Sequence, residues 1–149
     1  MLIGWLDFHR ETLAMKCDGL SAERLAERAV PPSWLSLGGL LRHMAEIERT
    51  YFRRTFAGED VPAIAFEEDP FREDPDADYS SVAGDDPLAD WREEVRRARE
   101  VIDRTTSLTD EGNSGLPMRF WLVKVLNEYA RHNGHADLLR ECIDGTTGE

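Results

Sequence analysis

Asn127-Glu-Tyr-Ala-Arg-His-Asn-Gly-His135 lies inside a segment whose apolar residues recur with the period of an α-helix. Met118, Leu122, Val125, Tyr129, Ala136, Leu139 and Ile143 form one stripe, opening near Pro117 and stopped by Gly145. At that period Glu128, His132 and His135 project from one face, at i, i+4 and i+7. A carboxylate and an imidazole one turn apart can hold a divalent cation through two ligands. Three protein ligands and an open position make a catalytic zinc-type centre, so a third ligand must come from elsewhere. His132 falls well inside the stripe, Glu128 toward its edge and His135 further out. A carboxylate near a core face needs a partner. For Glu128 that partner is a metal ion beside His132, or else Arg131, Arg42 or a histidine. His132 could equally be a hydrogen-bonded core histidine.

Three more helical segments precede this one. The first is read over Leu2 to Cys17, with Leu2, Leu6, Leu13, Cys17 and Leu20 as its stripe and His9 in the middle. Ser21 begins a short extra turn, and Pro31-Pro32 then stops helix formation. A second helix starts at Ser36, a good capping residue, and runs to about Phe56, with Gly58 as its stop. Leu37, Leu40, Leu41, Met44, Ile47 and Tyr51 are its core positions, and His43 sits at their edge. Gly58 to Asp85 is proline-bearing, acidic and aperiodic, a long connection that Phe66, Phe71 and Tyr79 are expected to pin to the bundle. Asp86-Pro87 signals the start of a third helix reaching about Arg104, with Leu88, Trp91, Val95, Ala98 and Ile102 inward. Asp110 to Gly115 is a turn-rich break. Four amphipathic helices and no alternating β pattern predict an all-α, four-helix bundle, a single domain of 149 residues. The long acidic loop between helices two and three frees that pair from simple up-down packing.

Composition narrows the function. A net charge of −12 argues against unaided binding to nucleic acid or to an anionic membrane surface. No apolar run is long enough to span a bilayer, and the N-terminal stretch lacks the basic region of a signal peptide, which places the protein in the cytoplasm. Cys17 and Cys142 read as buried thiols rather than a disulfide, and no zinc-finger spacing occurs.

His43 and His9 compete for the third ligand position, each on its own helix among apolar neighbours. Facing helices of a bundle interior commonly supply such sets. Other chemistries find little support. No serine sits in a Gly-x-Ser-x-Gly turn, and Gly38-Gly39 belongs to a helix start rather than a phosphate loop. Cys17 lies two turns beyond His9, but a thiol on an apolar stripe is inert packing. Arg49, Arg53 and Arg54 read as a solvated face balancing nearby acids.

Leu40-Leu-Arg-His-Met-Ala-Glu-Ile-Glu-Arg49 on the second helix and Glu128-Tyr-Ala-Arg-His-Asn-Gly-His-Ala-Asp-Leu-Leu-Arg140 on the last resemble the DinB-like superfamily, along with Gly4-Trp-Leu-Asp-Phe-His-Arg-Glu-Thr-Leu13 near the start. The likeness covers essentially the whole chain and points to an uncharacterised actinobacterial branch. The usual ligands there are one histidine on helix two and a His-x3-His pair on the last helix. Here the first member of the pair is Glu128, a replacement also found in the related mycothiol-dependent maleylpyruvate isomerases. The resemblance therefore implies His43, Glu128 and His132 as metal ligands, with His135 near the site or an alternative ligand and His9 lining the cavity. It implies a divalent metal, Zn²⁺ first, with Ni, Mn and Fe not separable by His/Glu ligation. It further implies a low-molecular-weight thiol and a small electrophile, hence a mycothiol-type S-transferase or isomerase. The alternative is a non-catalytic DinB-like bundle that binds a small ligand or a protein partner. Related bundles often pair through helix faces, so a homodimer belongs among the expected assemblies.

Overall fold

The computed structural model describes residues 1–64 and 86–148, and among them there are helices and no strands. The expected anchoring by Phe66, Phe71 and Tyr79 lies outside the described residues. Helix α1 is Leu2–Cys17 and α2 the single turn Ala22–Leu25. Helix α3, Leu37–Glu48, runs without a break into a π-helical segment, Arg49–Phe56. Helix α4 is Pro87–Arg104, a 3-10 turn follows at Gly112–Ser114, and α5 is Met118–Asp144.

The starts and stops have local causes. Ser36 Oγ accepts from Gly39 N at 3.1 Å, and Asp86 Oδ1 accepts from Ala89 N at 3.0 Å, each satisfying an amide the first turn would leave orphaned. Ser21 caps α2 in the same way at 3.3 Å. Gly145 closes α5 at φ 77°, a left-handed conformation that favours glycine. Gly112 is more constrained. Its φ is 55°, and a Cβ there would stand 2.5 Å from the Phe56 carbonyl oxygen.

Cross-helix contacts give the helix directions. Asn133 meets His9, while Arg140 reaches the carbonyls of Lys16 and Asp18, so α5 runs parallel to α1. His43 meets His132 and Tyr51 meets Trp121, so α3 and α5 are antiparallel. Arg49 and Arg53 both meet Glu94 on α4, and Phe56 and Val101 line one surface hollow, which sets α3 and α4 parallel. The bundle is thus up-down-down-up. A parallel neighbour demands a long crossover connection, and the sequence between α3 and α4 is long enough to supply one.

The core is apolar at Leu6, Leu13, Leu40, Met44, Phe52, Trp91, Leu122 and Val125, all buried. A polar layer crosses it. Arg10 and Glu48 form a two-armed ion pair, Nε–Oε1 2.8 Å and NH2–Oε2 2.7 Å. Tyr129 Oη donates to Glu48 Oε1 at 2.7 Å and accepts from Trp91 Nε1 at 2.9 Å, so all four bundle helices share one buried network. Burial pushes the Tyr129 hydroxyl well up, and the Glu48 charge adds to it, so the phenol remains a donor. Burial alone would weaken the Arg10 guanidinium, but Glu48 outweighs it and holds the cation firmly protonated.

This layer corrects the reading of α1. Arg10, not His9, occupies the centre of its inward face, and His9 is only half-buried. Two further expectations fail. Arg53 is buried, donating to Glu94 Oε2 and Glu59 Oε2 at 2.8 Å each, and Arg49 binds Glu94 Oε1 at 2.5 Å. Only Arg54 of that cluster is exposed. The π-helical turns take more residues each than an α-helix does, which rotates Arg49 and Arg53 onto the α4 side. Cys17 is buried, whereas Cys142 is an exposed free thiol.

Candidate metal centre

Two antiparallel helices build the site. His43 projects from the edge of α3, and its ring meets that of His132 on α5 at a centroid distance of 4.6 Å and 63°. One turn before His132, the Glu128 carboxylate comes to 3.7 Å between Oε2 and His132 Nε2. One ligand atom from each of His43, Glu128 and His132 lies within 4.8 Å of the other two. Donors about 2 Å from a common ion stand at most about 4 Å apart. Side-chain rotation of about an ångström would therefore close the set around a cation. The donor chemistry also fits: two imidazoles and one carboxylate suit a borderline divalent ion and leave coordination positions open.

The electrostatics favour neutral imidazole. Burial drives the His132 pKa down to about 3, and His43, His135 and Arg131 push in the same direction. His132 thus keeps its ring lone pair at any ordinary pH. Its other nitrogen, Nδ1, lies 3.3 Å from His135 Nδ1. His135 is therefore outside the cluster of three and stands behind His132, where an outer partner fixes a ligand's ring orientation. His9 is not in the cluster either. Asn133 Nδ2 holds it on the α1–α5 seam, 3.2 Å from His9 Nδ1 and 3.0 Å from its carbonyl oxygen.

The same α3–α5 face continues above the cluster. Lys124 precedes Glu128 by one turn, and its ammonium lies 5.0 Å from the centre of the Tyr51 ring. Tyr51 stacks on Trp121 at 5.5 Å and 27°, and Trp121 Nε1 is held by Ser114 Oγ at 3.0 Å. Sequence reasoning placed Tyr51 in the core and passed over Lys124 and Trp121. The spacing i−4 and i−7 from Glu128 was the signal that could have found both.

A family model described as Mycothiol-S-transferase matches residues 1–145. No curated protein and no solved structure matches the chain.

Proposed function

We infer, because the chain belongs to the mycothiol-S-transferase family, one of the DinB-like families, that it is a single-domain cytoplasmic enzyme joining a low-molecular-weight thiol to a small electrophile. The observation that carries the metal-dependent form of this reading is the convergence of His43, Glu128 and His132 from two helices. A divalent ion, zinc before nickel, manganese or iron, would supply Lewis acidity that lowers the pKa of a thiol bound to it. His43 and His132 would offer neutral nitrogen donors, and Glu128 the one negative charge. His135 would keep the His132 ring turned so that Nε2 faces Glu128. The Tyr51–Trp121 stack and Lys124 would flank the bound electrophile, giving it a flat apolar wall and one cation.

The test begins with metal analysis of protein purified without a histidine tag. About one ion per chain is expected, falling to none in His132→Ala. Thiols of several kinds are then incubated with a chromogenic electrophile. Turnover is expected to need metal and to vanish in the same variant. Protein that takes up no metal after soaking in Zn²⁺ or Ni²⁺ overturns the reading and leaves the non-catalytic bundle in its place.

A further inference from the structure

The Lys124 ammonium stands beside the metal centre with no anion to meet it. It lies 5.0 Å from the centre of the Tyr51 ring and makes no ion pair among the described residues, although the chain carries 30 acidic side chains. The obvious partner is Glu128, one turn on, at the spacing where lysine and glutamate ordinarily pair. Glu128 instead turns toward the other end of the helix, to 3.7 Å from His132 Nε2.

An aromatic pedestal holds the ammonium. Ser114 Oγ accepts from Trp121 Nε1 at 3.0 Å, Trp121 stacks on Tyr51 at 5.5 Å and 27°, and Tyr51 presents its ring to Lys124. Trp121 is buried, and Tyr51 and Lys124 are half-buried. Holding a lysine side chain costs rotamer entropy. The ring attracts the ammonium without neutralising it, because the ring carries no net charge. The outcome is a positioned, uncancelled cation in a chain of net charge −12, whose overall field repels anions.

The charges of the metal centre point the same way. A divalent ion, the Glu128 carboxylate and a thiolate cancel one another, so a loaded centre offers a substrate no net charge. The next charge along that face of α5 is Lys124, about 6 Å from Glu128 along the helix axis. A small molecule spans such a gap between a carbon under attack and a carboxylate at its far end.

Resting on the metal-dependent reading of this site, we propose that Lys124 recognises a carboxylate on the electrophile, so that the substrates are small anionic electrophiles of the carboxylate class. The carboxylate accepts a charge-assisted hydrogen bond from the ammonium, and the electrophilic carbon lies toward His43, Glu128 and His132. In a substitution the thiol sulfur forms the new bond to that carbon, the leaving group departs with the bonding electrons, and the thiol proton passes to water. Arg131, three residues after Glu128, is exposed and likewise makes no ion pair among the described residues, but no ring contact positions it. It therefore serves as the charge control.

The full-length protein is titrated with 3,5-dinitrobenzoate and with 1,3-dinitrobenzene, a pair without a leaving halide that differs by the carboxylate. Calorimetry and NMR of the Trp121 indole N–H are run metal-free and again with Zn²⁺, because a carboxylate can also bind the ion directly. In both forms the benzoate is expected to bind at one site per chain, to move the indole signal, and to bind roughly tenfold more tightly than the neutral ring. Lys124→Gln should remove most of that preference. Lys124→Arg, which keeps a cation able to stack on Tyr51, should restore it. Arg131→Gln removes an equal charge from the same helix and, at physiological salt, should change the preference by less than about threefold. Thermal midpoints verify that each variant is folded. Equal affinity for the two ligands, a preference that survives Lys124→Gln, or equal losses in the Lys124→Gln and Arg131→Gln variants overturns the proposal. The binding assay needs no turnover. A Lys124-dependent preference in a protein that takes up no metal supports the carboxylate subsite while overturning the enzyme, whereas metal-dependent turnover without that preference overturns this proposal alone.

Discussion

Arg10 carries the heaviest single burden among the side chains. Replacing it with methionine would leave Glu48 fully buried and charged, with Tyr129 as its remaining donor. Breaking one half of such a pair costs about 3–5 kcal/mol, whereas exchanging both partners for apolar residues is often neutral. Urea unfolding should therefore show Arg10→Met strongly destabilised and the double change Arg10→Met, Glu48→Leu largely restored. His132 gives a second expectation. Its folded pKa of about 3 lies below the ordinary 6.5, so the unfolded chain takes up a proton that the metal-free folded chain refuses. Stability from this group is complete above about pH 6.5 and is lost progressively as pH falls toward 3. In chelator, the stability difference between pH 7.5 and pH 5 should be smaller for His132→Gln than for the parent protein. Spacing in the sequence exposed Glu128 and His132, because both are read on one helix. The choice of His43 over His9 needed the resemblance, since the angle between two helices is not written in either one.

At the level of elements, helix starts and stops were legible because Ser36, Asp86-Pro87 and Gly145 each satisfy a local rule of capping chemistry. The π-helical turns of Arg49–Phe56 were not. They arise where Arg49, Phe52, Arg53 and Phe56 must all reach partners inside the bundle, a tertiary demand that overrides local period. This is also why the arginine cluster read as a wet face. Glu94 was hidden by the same cause: its neighbours Trp91 and Val95 mark an apolar stripe, and nothing local shows that two arginines come from α3 to meet it. Burial opposes its ionisation, but hydrogen bonds from Arg49 and Arg53 win and hold its carboxyl below the usual range. The close approach of Gly112 to the end of the π-helical segment ties these turns to the loop before α5. Gly112→Ala meets both a positive φ and the Phe56 carbonyl, and should destabilise by about 2 kcal/mol. The urea midpoint should fall while the slope of the transition is unchanged.

For the whole molecule, the fold class was readable from four amphipathic stretches, and the long acidic connection already hinted at a crossover. The parallel packing of α3 on α4 required the contacts themselves. Because the candidate ligands come from two helices distant in sequence, a bound ion should stabilise the folded chain alone. At a free Zn²⁺ concentration one hundred times the dissociation constant the gain is about 2.7 kcal/mol. The thermal midpoint should rise with Zn²⁺ and cease to respond in His43→Ala. Thiol labelling divides the two cysteines. Cys142 should react in the native protein, while Cys17, 1% exposed with its thiol pushed up to about 12, should react on unfolding. A practical opening follows from the ammonium that rests over Tyr51. The chain has two lysines, Lys16 and Lys124, and the first is buried in its ion pair. An amine-directed fluorophore would therefore attach at Lys124 or at the chain's first residue, and one at Lys124 would sit beside the Trp121 indole. That makes the α3–α5 mouth a natural place to watch ligands arrive by energy transfer, without introducing a single new side chain.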